Sequence, residues 1–225
     1  MSVKVDVVRV FTDESNLLGN ELGIVRAADV RRDDEQRIAA ELGFSETVFI
    51  EEPAGGRIAL RIYTPAVEMP FAGHPSVGTS WWLKEQGIEV DVLDLAAGAV
   101  PVRYDGDLTW ITGHAEWAPA FEFLELASEA DVAALDPATV TQGAHYRYAF
   151  TDQHAGALRS RMFAPAMGIA EDQATGAAAV ALTALLRRDL DITQGLGSRV
   201  RTTLVGPGLV EIGGRTVWDR EFILG

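Results

Sequence analysis

The sequence GIAEDQATGAAAVALTALLRR at residues 168–188 contains the element around which the rest of the chain is organised. It begins with a polar turn at residues 171–173 and becomes a run of alanines and leucines, in which residues 177–186 carry no charge. Ala and Leu are among the best helix formers, and a helix that is apolar on every side lies inside a core. The run is shorter than the roughly 20 apolar residues that cross a bilayer. It therefore predicts a buried helix.

The start of this helix is its most informative end. Small residues at positions 174–178 leave the N–H groups of the first turn open to a ligand. A helix N-terminus attracts anions, so these N–H groups are candidate donors to a negatively charged molecule. A buried helix with an ordinary polar cap explains the same residues equally well. The stretch alone leaves both interpretations open.

A second stretch of the same design lies about a hundred residues earlier, at residues 71–84, with the sequence FAGHPSVGTSWWLK. A polar turn that contains glycine again opens a mostly apolar helix. Pro75 suits the first helical position because its missing N–H is not needed there, and Gly87 is a plausible stop. Two such helices predict two related halves whose open helix starts converge on one anionic ligand.

Composition excludes several classes of function. The net charge of −14 argues against nucleic acid or an anionic membrane surface as a partner. The absence of cysteine excludes disulfides, a thiolate metal site and a thiol catalyst. The four histidines have no HxH or HExxH spacing, so no metal site is expected. The first residues, MSVKVDVVRVF, alternate like a strand and lack the features of a signal peptide, which makes the cytoplasm the expected location.

The remaining pattern predicts an α+β chain in two parts. We place the boundary near residues 113–118, which gives an N-terminal domain over residues 1–115 and a C-terminal domain over 116–225, with the last strand possible as a return to the first domain. Further helices are predicted at residues 27–42 and from Ser128 to before Pro137. Gly213-Gly214 is expected to form a hairpin turn. The predicted strands are residues 3–11, 22–26, 44–50, 57–63, 89–95, 100–104, 108–112, 146–151, 161–163, 198–205, 208–212 and 216–224.

Five short motifs resemble one known family. EDQATGAAA at residues 171–179 resembles the EDPATGSAA signature of the PhzF-like (phenazine biosynthesis) isomerases, and FAGHPSVGT at 71–79 is similar to their FAGHPTLGT motif. FSETVF at 44–49 is similar to LSETTF, while residues 18–20 and 159–165 match two further segments. The resemblance implies the diaminopimelate-epimerase-like fold. In that fold two similar domains each wrap a barrel-like mixed sheet around a central helix, and the active site lies in the cleft between them. It also implies a homodimer.

The chain departs from the family pattern in three ways. It is shorter than is usual, with an apparent deletion between Glu116 and Ala157, so the second domain is trimmed. Ala177 stands where serine is common in the family, which removes a hydroxyl near the expected anion. Gln173 stands where proline is common. These departures affect the expected substrate more than the fold.

The resemblance assigns the chemistry to a single carboxylate. Epimerases of this fold use two opposed cysteines as acid and base, which a chain without cysteine excludes. The glutamate that matches the family's catalytic residue is Glu46. A carboxyl group can take a proton from one carbon and return it to another, which is an isomerisation that needs no cofactor. Without the resemblance, Glu46 would be interpreted as a solvent-facing strand residue.

The resemblance also places His74 and Asp172 at the substrate, where we expect them to position it and relay protons. The alternatives are a histidine bonded to backbone at a helix start and, for Asp172, an N-cap acceptor. Gly73 and Gly176 allow close backbone approach and offer N–H groups to an anion. The expected substrate-binding residues are Asn20, Gly73, Ser76, Thr175, Gly176 and Ala177.

Two functions of different classes follow. The leading hypothesis is a cofactor-independent isomerase of a small metabolite that bears a carboxylate and is unsaturated or resembles an amino acid. The alternative is a non-catalytic protein that keeps the fold and binds a small anion. Glu46, His74 and Asp172 favour the enzyme, whereas Ala177 and the trimmed domain favour the alternative.

Overall fold

The computed structural model describes residues 2–165 and 168–225. Within these residues the chain forms four α-helices and fifteen strands, and both predicted apolar helices are present. The helices are α1 (Glu35–Leu42), α2 (Gly73–Glu85), α3 (Glu129–Ala133) and α4 (Gly176–Leu186), accompanied by single 3-10 turns at Ala27–Asp29, Arg32–Asp34, Ala115–Trp117 and Pro137–Thr139.

The strands are distributed along the whole described chain. They are β1 (Val3–Thr12), β2 (Asn20–Arg26), β3 (Glu46–Ile50), β4 (Arg57–Tyr63), β5 (Glu68–Met69), β6 (Val92–Leu95), β7 (Gly98–Asp105), β8 (Leu108–His114), β9 (Glu122–Glu125), β10 (His145–Asp152), β11 (Ala157–Ala164), β12 (Ile169–Asp172), β13 (Leu190–Gln194), β14 (Ser198–Gly206) and β15 (Leu209–Leu224).

The strands form one continuous mixed sheet in which β15 is shared. The order runs β1-β2-β3-β4-β6-β7-β8-β15-β14-β13-β11-β10-β9, and β15 also pairs with β1. The extra pairing closes the first eight of these strands into a ring. Helix α2 packs against β1, β8 and β15, while α4 packs against β14 and β15. Each half of the sheet therefore has one enclosed helix, and β15 contacts both.

Burial of α2 and α4 follows from their composition. In α4 residues 177–180 and Leu182 are buried, so most of the helix lies in the core, while Leu185 near its end is exposed. In α2 two serines are also fully buried, and each is satisfied locally. The hydroxyl of Ser76 donates to the carbonyl of Ala72 at 2.7 Å, and Ser80 donates to the carbonyl of Ser76 at 2.8 Å. Such bonds to the preceding turn allow a hydroxyl to lie in an apolar core.

The helix predicted over residues 27–42 is wrong in its first half. Val30 is extended, with φ −137° and ψ 158°, and it ends the turn Ala27–Asp29. Its side chain packs against a small core cluster that includes Val5 and Phe49. This tertiary contact outweighs the local helical pattern, so the α-helix begins only at Glu35.

The hairpin predicted at Gly213-Gly214 is also wrong, because β15 runs through both residues without a turn. Residues 209–214 pair with β8, and residues 215–224 pair with β1. A Cβ at Gly213 would collide with the ring of Trp110, and one at Gly214 would lie 2.5 Å from the ring of Phe11. The two glycines therefore permit close packing where the strand passes from one partner to the other.

The C-terminal part of β15 pairs antiparallel with β1, with Leu224 opposite Val3 and Arg215 opposite Thr12. The division of the chain into residues 1–115 and 116–225 stays a prediction. In the part of the chain that the structure describes, the helices are all too short or too polar to cross a membrane.

Candidate active site

The starts of α2 and α4 meet backbone to backbone. A Cβ at Gly73 would lie 3.0 Å from the Cα of Gly176, and a Cβ at Gly176 would lie 2.6 Å from the backbone N of His74. Only glycine at both positions allows this approach. Neither helix start has a side-chain cap. First-turn N–H groups have no partner within their own helix, so two sets of donors and two positive dipole ends face the same place.

A narrow cleft with a free volume of about 20 Å³ lies beside this junction. Its lining combines predicted site residues with apolar side chains, among them Phe121 and Met162, which we call the apolar wall. The residues that line it are Glu46, Thr64, Met69, Ala72, Gly73, His74, Pro119, Phe121, Met162, Ile169, Asp172, Thr175, Gly176 and Ala177.

Glu46 and His74 form a pair on one wall of the cleft. Glu46 is the first residue of β3, and its side chain is 12% exposed, whereas that of His74 is 1% exposed. The His74 Nδ1 lies 2.9 Å from the Glu46 Oε2, and its Nε2 lies 3.3 Å from the Asn20 carbonyl oxygen. A carbonyl oxygen only accepts, so Nε2 carries a hydrogen. The contact between Nδ1 and Oε2 then holds one proton, either on His74 or on Glu46.

Asp172, at the end of β12, lines the same cleft and is 2% exposed. Its Oδ1 accepts from the amide of Asn20 at 2.6 Å, and its Oδ2 accepts from the hydroxyl of Thr175 at 2.6 Å. It is not an N-cap acceptor, because Thr175 occupies the N-cap position of α4. Burial, reinforced by the charge of Glu46, raises the pKa of Asp172 from 3.8 to about 6, against the opposing effect of its two donors and His74.

The other predicted site residues fall into two groups. Thr175 and Ala177 line the cleft, as do the two glycines. Asn20 and Ser76 are not among the described residues that line the cleft. Asn20 lies behind Asp172, where its Nδ2 also contacts the carbonyl of Ala174 at 3.3 Å. The Ser76 hydroxyl is directed into its own helix.

Two features of the site escaped the sequence analysis. One is the apolar wall, in which Phe121 lies outside the quoted motifs and Met162 lies in the matched segment 159–165 but had no role assigned to it. The other is Gln194, a buried residue at the end of β13 that bonds to Asp172 and Thr175. Its only sequence signal is a polar residue at the end of a short alternating strand, which is too common to indicate a site.

This fold and cleft define a class of protein. A carboxylate that is partly exposed, a histidine that shares its proton and two helix starts directed at one cavity are the parts of an enzyme that moves protons on a small anion.

Comparison with known proteins identifies the family. The family model described as phenazine biosynthesis-like protein (PhzC-PhzF) matches residues 8–121 and 109–203. The trans-2,3-dihydro-3-hydroxyanthranilate isomerase of Pseudomonas aeruginosa is 32% identical over 84% of this chain and 81% of its own length. That of Pseudomonas chlororaphis is 32% identical over 72% of each chain. The chain belongs to the phenazine biosynthesis-like family.

The solved structures agree on the fold. A PhzF family protein from Enterococcus faecalis superposes with a TM-score of 0.79 at 21% identity, over 100% of both chains. A hydroxyproline epimerase from Agrobacterium vitis gives a TM-score of 0.65 at 14% identity, over 99% of this chain and 92% of that one. The predicted family, the diaminopimelate-epimerase-like fold and the isomerase class are confirmed. The non-catalytic alternative gains no support from these relatives.

Proposed function

We propose that this isomerase moves a proton between two carbons of a small carboxylate-bearing metabolite through Glu46. The observation that carries the proposal is the 2.9 Å contact between His74 Nδ1 and Glu46 Oε2 at the edge of the cleft. It gives Glu46 a partner that stabilises either protonation state. A group that alternates between base and acid in one reaction needs both states to be accessible.

The substrate carboxylate is expected to bind where α2 and α4 begin. The N–H groups after Gly73 and Gly176, which have no side-chain cap in the described part of the chain, suit a carboxylate. This local attraction opposes the repulsion by a chain of net charge −14. Such binding directs the carbon skeleton towards the apolar wall of Phe121 and Met162. The Ala177 methyl group adds to the apolar side.

The proton transfer then uses the other oxygen of Glu46. Its Oε2 is engaged by His74, and in the described part of the chain its Oε1 has no hydrogen-bond partner. Glu46 takes the proton from one carbon, and the electron pair of the broken C–H bond becomes a new double bond between that carbon and its neighbour. The resulting carboxylic acid, whose proton exchanges in part with solvent, gives a proton to the far carbon, where the π electrons of the old double bond form the new C–H bond. The double bond has moved, and the net proton count of protein and substrate is unchanged.

The relatives' names suggest the substrate class. The two Pseudomonas isomerases act, by name, on trans-2,3-dihydro-3-hydroxyanthranilate, a cyclic unsaturated amino acid. We take cyclic or conjugated amino carboxylates as the class to test. Incubation in deuterated water, followed by proton NMR, should reveal migration of the double bond and at least partial entry of deuterium at the receiving carbon. A double bond that stays in place in every such compound contradicts the proposal.

Asp172 should make the folding stability of the protein fall with rising pH. Its pKa is raised to about 6 in the folded protein, so between about pH 4 and 6 the folded state binds more protons than the unfolded state. The destabilisation that comes from burying the charged carboxylate is absent below this pH window and complete above it. The difference from 3.8 corresponds to about 3 kcal/mol.

Thermal melts of the wild type and Asp172→Asn at pH 4 and 7.5 test this expectation. The difference in Tm between the two proteins should move in favour of the variant by roughly 5 °C or more as the pH rises. Asp33→Asn, which changes an exposed aspartate in the turn Arg32–Asp34, serves as the control. A Tm difference that does not depend on pH would contradict the raised pKa.

We also propose that the protein is a homodimer that acts in the cytoplasm. Two-fold dimers are the commonest soluble oligomers, and the family resemblance implies one here. Light scattering at micromolar concentration should give about twice the chain mass of 24.3 kDa. A monomer mass under these conditions overturns the dimer.

A further inference from the structure

Gln194 is a fully buried side chain beneath Asp172 that the proposed reaction leaves unused. It ends β13, and its Nε2 donates to the backbone carbonyl of Asp172 at 2.9 Å and to the hydroxyl oxygen of Thr175 at 2.8 Å. In the described part of the chain its Oε1 has no hydrogen-bond partner. Both hydrogen bonds of the side chain are made by its NH₂ group, so the Gln194 amide acts here as a donor.

The chemistry of the partners fixes the direction of every hydrogen in this chain of bonds. The backbone oxygen of Asp172 only accepts, so the NH₂ end of the Gln194 amide must face it. The second hydrogen of that NH₂ group points to Thr175, whose oxygen thereby accepts. A hydroxyl has a single hydrogen, and the Thr175 hydrogen is left for the Asp172 Oδ2 at 2.6 Å.

We propose that Gln194 is a positioning residue, which holds the Thr175 hydroxyl as a donor to Asp172 and so keeps that carboxyl group an acceptor beside the cleft. Its effect on catalysis rests on the proposed function, but the ordered chain of hydrogen bonds does not. Without the amide, the Thr175 hydroxyl is free to rotate and donate elsewhere.

The electrostatic surroundings of Asp172 determine the sign of the effect. Burial and, after it, the charge of Glu46 on β3 raise the pKa of Asp172, while His74 on α2 lowers it. The phenol of Tyr146 on β10 also feels the charge of Asp172, but it is engaged by the Ser160 hydroxyl at 2.9 Å. Asn20 and Thr175 supply the direct donors. Loss of the directed Thr175 donor therefore disfavours the carboxylate and raises the pKa of Asp172 further.

A titration of Asp172 tests the inference without any substrate. In protein labelled with ¹³C at aspartate carboxyl groups, the Asp172 signal is assigned by its loss in Asp172→Asn. In Gln194→Met its titration midpoint should rise by about half a pH unit or more. The matched control is Gln173→Met, because the Gln173 amide accepts from the Leu196 backbone N–H instead. An unchanged midpoint in Gln194→Met overturns the inference.

A double-variant cycle tests the route through the hydroxyl. Thr175→Val removes the hydroxyl and should raise the midpoint by itself. Because Gln194 acts through that hydroxyl, adding Gln194→Met to Thr175→Val should raise it no further. Equal shifts in the two backgrounds would show that Gln194 acts on Asp172 by another path, and the inference fails.

Two further measurements complete the test. In the wild-type protein the ¹⁵N shift of the Gln194 side-chain amide should titrate with the same midpoint as Asp172, a measurement that stands even where Gln194→Met does not fold. A ¹⁵N chemical shift of this amide that does not change with pH while Asp172 titrates contradicts the chain of hydrogen bonds. In the active enzyme, Gln194→Met should move the acid limb of the kcat profile upward by the same interval. If no carboxylate is isomerised but the midpoint shifts, the proposed reaction fails and the inference stands.

Discussion

Glu46→Gln is expected to lower turnover by about 10²–10⁴-fold, the usual contribution of general acid–base catalysis. The amide has nearly the shape of the carboxyl group and still donates to the His74 Nδ1, which lies 2.9 Å from the Glu46 Oε2. It does not titrate, so it neither takes the substrate proton nor returns one. Steady-state kinetics and deuterium entry from solvent, measured by NMR, check both consequences.

Substrate binding should survive this change, because the carboxylate is expected to bind at the backbone N–H groups after Gly73 and Gly176 rather than at Glu46. Calorimetric titration should give an equal or higher affinity, since one negative charge has left the cleft. Glu52→Gln, an exposed glutamate shortly after β3, is the control and should keep full turnover. Unchanged turnover in Glu46→Gln would mean that the proton passes elsewhere, with His74 as the next candidate. Loss of binding together with turnover would contradict the assigned anion site.

The sequence predicted the parts of this site better than their arrangement. Residues 177–186 are apolar on every side, and this alone predicts a buried helix. The glycines at positions 73 and 176 were each visible as a close-approach residue. Their mutual contact, in which each is packed against the other's backbone, depends on the tertiary fold and has no local signal.

Polar residues were harder to assign for the same reason. Ser76 was predicted to bind substrate, but its hydroxyl bonds to the carbonyl of Ala72, an option that every helical serine has. Asn20 was expected to orient a polar group of the substrate, which stays a prediction, and its amide donates to Asp172. Whether a hydroxyl or amide serves a ligand or the fold depends on which partners lie nearby, and those partners are 4 and 152 residues away along the chain.

The meeting of the two helix starts leads to a second large effect, for Gly176→Ala. The added Cβ would lie 2.6 Å from the backbone N of His74 and 2.7 Å from the Cα of Gly73. These are backbone atoms in a buried junction and have no flexible end that can move aside. The helix starts must separate, at a cost of about 1–3 kcal/mol or more. We expect Tm to fall by several degrees and the affinity for substrate carboxylate to fall with it, because the two sets of N–H groups no longer face one point.

Gly206→Ala separates this mechanism from a general cost of replacing glycine. Gly206 ends β14, and an added Cβ there would have Leu209 Cβ as its nearest neighbour at 3.7 Å, an ordinary contact. This control should melt close to the wild type and bind carboxylate normally. The contact is reciprocal but looser from the other side, since a Cβ at Gly73 would lie 3.0 Å from the Gly176 Cα, so Gly73→Ala should weaken binding less than Gly176→Ala. If Gly176→Ala binds as tightly as Gly206→Ala, the carboxylate is not held between the two helix starts, and the anion site must be sought among the other groups of the cleft.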